Sequence, residues 1–164
     1  MSADHTFRAT HQVADLVLKA LPEDERLWVP QASNVWFRPI LFNVSNGYWV
    51  NVLKIQRGGI LNRHLHPAPV FGYVIKGSWR YLEHDWIARE GDFVYEPPGE
   101  VHTLVVDTEA EEMLTLFHVQ GALIYMDEKG NQLGYDDVHT KLDVARRHFE
   151  NVGLGAEFVD QFVR

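Results

Sequence analysis

Cysteine is absent from the 164-residue chain, so neither a disulfide framework nor thiolate chemistry is available to it. Positive charge is scarce: 15 Lys and Arg stand against 23 Asp and Glu, a formal charge of -8. No basic cluster offsets that balance, which excludes a nucleic-acid partner, because phosphates require a basic footprint. Long apolar runs are missing as well; charged residues interrupt each stretch before it reaches membrane-spanning length, so no membrane partner is expected. The start, Met1-Ser-Ala-Asp-His5, does not read as a secretory signal, and the expected location is cytoplasmic.

What the chain does have is 46% hydrophobic residues and 12% aromatics, enough for a real core at a length typical of one domain. Its five tryptophans exceed what such a core needs, so some should line a cavity or an interface. From Trp28 the pattern is one of short strands. Val35–Asn43 and Tyr48–Ile55 are joined by Ser45-Asn46-Gly47, where Asn-Gly accepts positive φ at low cost. Further strands are expected at Val70–Lys76, Ser78–Glu83, Ile87–Ala88, Asp92–Glu96, His102–Asp107, Met113–Gln120 and Leu123–Met126. With no alternation of strand and helix, this predicts an all-β protein, a jelly-roll β-barrel.

Two flanking regions complete the reading. Residues 1–27 form an N-terminal arm in which Val13–Leu21 fits either a short helix or an extended segment. Residues 28–126 make the barrel, and residues 127–164 a C-terminal helical tail packed on it. In that tail Leu142, Ala145, Phe149 and Val152 recur at helical spacing before Gly153 and Gly155, and Phe158, Val159 and Phe162 suggest a second helical turn. A barrel this small must cover its edge strands, so a homodimer or homotetramer is expected, with the tryptophan-rich N-terminal strands at the two-fold axis.

Chemistry concentrates in two glycine-anchored segments. In the first, Gly58 to Gly77, His64 and His66 stand two apart and so share one face of a strand. In the second, Gly91 to His102, the turn Pro97-Pro98-Gly99 delivers His102 from a separate strand. Three neutral imidazoles suit Fe, Ni, Cu or Zn, which makes His64, His66 and His102 the candidate metal ligands. Asn62 is in phase with the pair and should look into the same cavity as a catalytic or supporting residue. Asn51, between Val50 and Val52, is a similar polar interruption, and parity pairs it with Trp49. Among the carboxylates near the site, Glu83 shares parity with Trp79 and Tyr81; it is read either as a base or distant fourth ligand, or as a solvated turn residue. Glu96, before Pro97, is read as able to bond the turn.

The two segments resemble both motifs of the cupin superfamily. Gly58, His64, His66 and Gly77 match the first, Gly91, Pro97, Gly99 and His102 the second. Val70 stands where the first motif carries a ligating Glu, and Val106 where the second ends in Asn. The resemblance therefore implies a three-histidine site with an open position beside Val70. Segments such as Phe71–Glu83, Phe93–Gly99 and Gly121–Asp127 are similar to the 2,4'-dihydroxyacetophenone dioxygenases and, more distantly, to the acetylacetone dioxygenases. That likeness implies Fe(II), with Zn, Ni or Mn as alternatives, and a small-molecule substrate cleaved with O2 at the C–C bond next to a carbonyl. Trp49, Asn51, Val70 and Tyr81 are the residues expected along the substrate pocket. The competing readings are a Zn-, Ni- or Mn-dependent hydrolase or isomerase, and a metal-bearing sensor or binding domain without catalysis.

Overall fold

The computed structural model describes residues 13–164. The expected all-β architecture is present as two six-stranded antiparallel sheets. One sheet holds, in spatial order, β1 (Val29–Ala32), β2 (Val35–Asn43), β3 (Tyr48–Gln56), β10 (Glu112–Gln120), β5 (Val70–Lys76) and β8 (Phe93–Glu96). The other holds β12 (Gln132–Asp137), β11 (Ala122–Met126), β4 (Ile60–Leu65), β9 (Val101–Val106), β6 (Ser78–Tyr81) and β7 (Ala88–Arg89). The sheets face each other across a core that includes Phe37, Trp49, Leu53, Trp79, Leu104 and Phe117. Burying one such side chain completely is worth roughly 1.5–3 kcal/mol.

Gly77 shows why the first motif closes on glycine. It turns the chain from β5 into β6 at φ +74°, and a Cβ there would meet the carbonyl oxygen of Glu112 at 2.0 Å. No other residue fits that crossing between sheets.

The two ends of the chain depart from expectation. Residues 13–24 form neither helix nor strand, and lead into a 3-10 turn at Glu25–Leu27; His5 and His11 lie outside the described residues. Trp28 is buried within its own chain, in an apolar cluster with Val52 and Leu114, and Lys54 Nζ sits 4.1 Å from its ring centroid. At the other end, the sheet does not stop at residue 126, because β12 pairs with β11 before any helix starts. Helix α1 (Val138–Asn151) then begins at a reciprocal cap: Asp137 accepts from the Thr140 N–H and Thr140 Oγ1 accepts from the Asp137 N–H, both at 2.8 Å.

Because of that start, the buried face of α1 is Val138, Lys141, Ala145 and Phe149, while Leu142 and Val152 are only half-buried. The expected stripe is rotated, and a lysine lies within it. Helix α1 packs on β12, β1 and β2, covering the flank where β1 and β12 form the sheet edges. Val159 and Phe162 of a 3-10 segment, Ala156–Phe162, are buried beside it, and the last residue is tied to β2 through bonds between Arg164 and Phe42 and Val44. No helix of the described residues is long and apolar enough to cross a membrane.

Candidate metal centre

Cross-strand pairing brings the histidines together. β4 carries His64, with His66 just beyond its end, and β9 lies alongside so that His64 and His102 are direct partners in the ladder. The register slips between Leu61 and His64. That bulge puts Leu61, not Asn62, on the inner face with His64 and His66. Leu61 is buried, whereas Asn62 is exposed on an outer groove. The simple two-residue parity that placed Asn62 in the cavity fails at this one irregular step. Gly99, at φ +93°, donates its N–H to the carbonyl of His66 at 2.8 Å, which bonds the Pro-Pro-Gly turn directly to the histidine pair.

The three rings lie 4.7 to 5.6 Å apart between centroids, and their donor atoms all fall within 4.8 Å of one another. All three are almost fully buried. His64 Nδ1 bonds the Asn62 carbonyl at 2.6 Å and His66 Nδ1 bonds the Ala122 carbonyl at 3.2 Å. A carbonyl only accepts, so each bond fixes the proton on Nδ1 and leaves Nε2 with its lone pair free. His102 stacks flat on Tyr81, 3.7 Å between centroids with 5° between planes. Burial, with help from neighbouring imidazoles, pushes all three to about 3, so each ring is neutral and able to ligate.

A fourth group joins them that the motif did not announce as a ligand. Glu96, the last residue of β8, is 3% exposed, and its Oε2 lies 3.5 Å from His66 Nε2 and 3.6 Å from His102 Nε2. Its Oε1 accepts a bond from the Tyr81 hydroxyl. Burial raises its carboxyl to about 7, with the Tyr81 bond opposing and Glu100 adding to the rise. Burial, and after it the Glu96 carboxyl, raises Tyr81 well above the usual phenol range. With the imidazoles neutral, the Glu96–histidine contacts are not ion pairs. Glu96 also stands directly across the ladder from Val70. The expected three-histidine set is the one whose donor atoms converge, and a buried carboxyl that the open position beside Val70 did not announce stands next to it from the facing strand. Glu96 Oε2 and both ring nitrogens of His102 are buried without a hydrogen-bond partner. Buried polar atoms are seldom left so, and a divalent cation held by the three imidazoles would satisfy His102 Nε2, with Glu96 Oε2 free beside it. The residues fit a metal.

Trp49, Asn51, Val70 and Tyr81 line the same inner cavity as His64, His66 and Glu96. Its volume is about 30 Å³, room for little beyond a small polar group. Glu83 is elsewhere. β6 ends at Tyr81, the chain turns, and the exposed Glu83 accepts from Thr103 N–H at 2.8 Å and Thr103 Oγ1 at 3.1 Å, with Arg63 at 3.7 Å. It staples an outer loop to β9 rather than reaching the cavity, in keeping with the turn-residue reading. His118 packs between Tyr48 and Phe71, and His84 pairs with Glu100 at 2.7 Å.

A second residue missed in the sequence is Lys141, whose Nζ is buried on the cavity wall, donates to Gln31 Oε1 at 2.7 Å and lies 3.6 Å from the Phe37 ring centroid. Burial lowers it to about 8, Asp136 opposing. Gln31, Leu61 and Lys141 line both this cavity and an outer groove of about 700 Å³. A lysine inside the helical stripe was the available signal, since a charge at such a position needs a reason.

Comparison with known proteins agrees with this geometry. The family model of the ChrR cupin-like domain matches residues 19–124. An RmlC-like cupin protein from Ralstonia eutropha JMP134 is 30% identical, covering 77% of this chain and 83% of its own, with a TM-score of 0.73. A protein of unknown function with a cupin-like fold, from the same organism, is 22% identical over 88% of this chain and 91% of its own, with a TM-score of 0.74. An acetylacetone dioxygenase from Acinetobacter johnsonii shares the fold at 12% identity, covering 86% of this chain and 99% of its own, with a TM-score of 0.70. No protein of curated function matches the sequence.

Proposed function

The chain belongs to the ChrR cupin-like family, and from that membership and the buried cluster we propose a metal-dependent dioxygenase. Its reaction cleaves the C–C bond next to a carbonyl in a hydroxyketone or diketone. His64, His66 and His102 hold the ion, with Glu96 beside them. The observation that carries this reading is the convergence of three buried, neutral imidazoles within 4.8 Å of one another, with the buried Glu96 carboxyl against two of them.

When bound, Fe(II) supplies Lewis acidity and a redox couple for oxygen chemistry. The protein's part follows from its own groups. Neutral histidines bring no negative charge, so the centre favours an anionic oxygen chelate such as an enolate or enediolate. Glu96 Oε2 is placed to hold the proton that leaves the ionising substrate, and the Tyr81 hydroxyl on Oε1 keeps that carboxyl oriented. Trp49, Val70, Leu104 and Phe117 keep water from the cavity, while Asn51 offers a polar contact among them. The chelating atoms take the inner space, and the rest of the molecule extends past Gln31 and Leu61 toward the outer groove. That an acetylacetone dioxygenase has the same fold is compatible with this chemistry.

The test is anaerobic loading with Fe(II), then oxygen uptake with 2,4'-dihydroxyacetophenone and with acetylacetone. The expected result with the former is one O2 consumed per molecule, giving 4-hydroxybenzoate and formate. Iron-loaded protein inert to both compounds would overturn the reading. Turnover of esters or lactones with Zn, Ni or Mn would then point to a hydrolase, and stoichiometric metal without any turnover to a sensing domain.

A further inference from the structure

Lys141 has no role in that chemistry, yet it sits on the wall of the cavity. It is 4% exposed, and its Nζ has one hydrogen-bond partner among the described residues, Gln31 Oε1. Asp136, the acidic group that acts on it, is engaged by the Tyr125 hydroxyl at 2.9 Å and by Thr140 Oγ1 at 3.3 Å. An ammonium carries three donors. Burying one with a single amide partner and an aromatic face costs free energy that a well-paired cation would not incur. Its position adds the functional clue, because Lys141 lines both the histidine cavity and the outer groove. A ligand that occupied both spaces would lie against it.

We propose that Lys141 anchors a second, acidic oxygen of the substrate, at the end remote from the chelating pair. The substrates are then oxygen-chelating carbonyl compounds that carry a carboxylate or an acidic phenol, preferred over their neutral analogues. Burial makes the contact strong, since a charge-assisted bond gains most where water is excluded. The proposal rests on reading the histidine cluster as the place where the chelating oxygens bind.

Two matched pairs test it by calorimetry on the Fe(II)-loaded full chain without oxygen. Heptane-2,4-dione against 4,6-dioxoheptanoate isolates a carboxylate remote from the dione; 2-hydroxyacetophenone against 2,4'-dihydroxyacetophenone isolates a phenol. The wild type should bind the acidic member of at least one pair about tenfold more tightly, the size expected of one charge-assisted bond. Lys141→Met should collapse that ratio toward one. Gln31→Glu, which gives the ammonium a permanent carboxylate partner, should do the same without removing the lysine. A purely structural lysine would alter stability in these variants and leave the ratio unmoved. Equal affinities within both pairs, or a preference that survives in Lys141→Met, overturns the proposal while the dioxygenase reading stands. If no carbonyl compound binds the loaded protein, the chelate reading fails, and 4-hydroxybenzoate decides the lysine separately: Lys141-dependent binding supports the anchor, and its absence overturns it.

Discussion

Where β4 and β9 face β8 across the two sheets, four polar side chains crowd together: three imidazoles kept neutral by burial and a carboxyl raised to about 7. Where β1 meets α1, a single ammonium stands among apolar groups with one amide for company. Both regions bury polarity, but they are built differently. The first draws its histidines from strand pairing, His64 opposite His102, and its carboxyl from β8 of the facing sheet. The second depends on a helix packed over the seam between the two sheets. Register thus sets the histidines side by side, whereas the cation's place depends on how the tail docks. The cluster has orphaned atoms that suit a guest ion, and the guest proposed for the lysine is an anion.

The largest effect that bears on this contrast is loss of the ion. Replacing His66 with Ala should abolish stoichiometric metal, measured by elemental analysis after loading, while the circular dichroism of the barrel persists. Full occupancy in that variant would mean the cluster is not a metal centre. Next comes Glu96→Gln, which keeps the shape but removes the proton acceptor. Turnover should fall by about 10²–10⁴-fold with metal content much less affected, and unchanged kcat would reduce Glu96 to packing.

At the other pole the expected sign is reversed. Burial holds Lys141 near 8 against its ordinary 10.5, so between those values the unfolded chain binds more protons than the folded one. Stability from this group therefore rises as pH goes from 8 to 10.5, and its penalty is complete below 8. Lys141→Met should stabilise the metal-free protein at pH 7 by on the order of 2 kcal/mol, after allowing for the lost Gln31 bond, and should flatten that alkaline rise. Denaturant melts at pH 7 and pH 10 check both; a destabilised variant would show that the ammonium is better partnered than the contrast supposes. The smallest effects belong to Glu83→Gln and Asn62→Ala. Both residues lie outside the cavity, so kcat/KM and its pH profile should stay within about twofold of wild type, a difference of roughly 0.4 kcal/mol. A tenfold loss in either would reopen a catalytic role.

How far the sequence reached can be traced residue by residue. Period-two spacing placed His64 and His66 together, and a Pro-Pro-Gly turn delivered His102; these are local signals, because strand geometry and turn chemistry act over a few residues. The strand count, the Asn-Gly hairpin and the helical tail were legible for the same reason. Asn62 was misplaced by one bulge, since a single extra residue reverses every side chain's face and leaves no mark in the pattern. Glu96 was hidden by an inverted alternation, for in β8 Phe93 and Tyr95 point out and the acid points in. Lys141 was hidden by the rotation of α1 about its cap. The sequence by itself determined a barrel with three convergent histidines. Only the tertiary structure decided which carboxyl and which cation complete the cavity, because those choices are set by contacts between elements distant in the chain, where local periodicity carries no information.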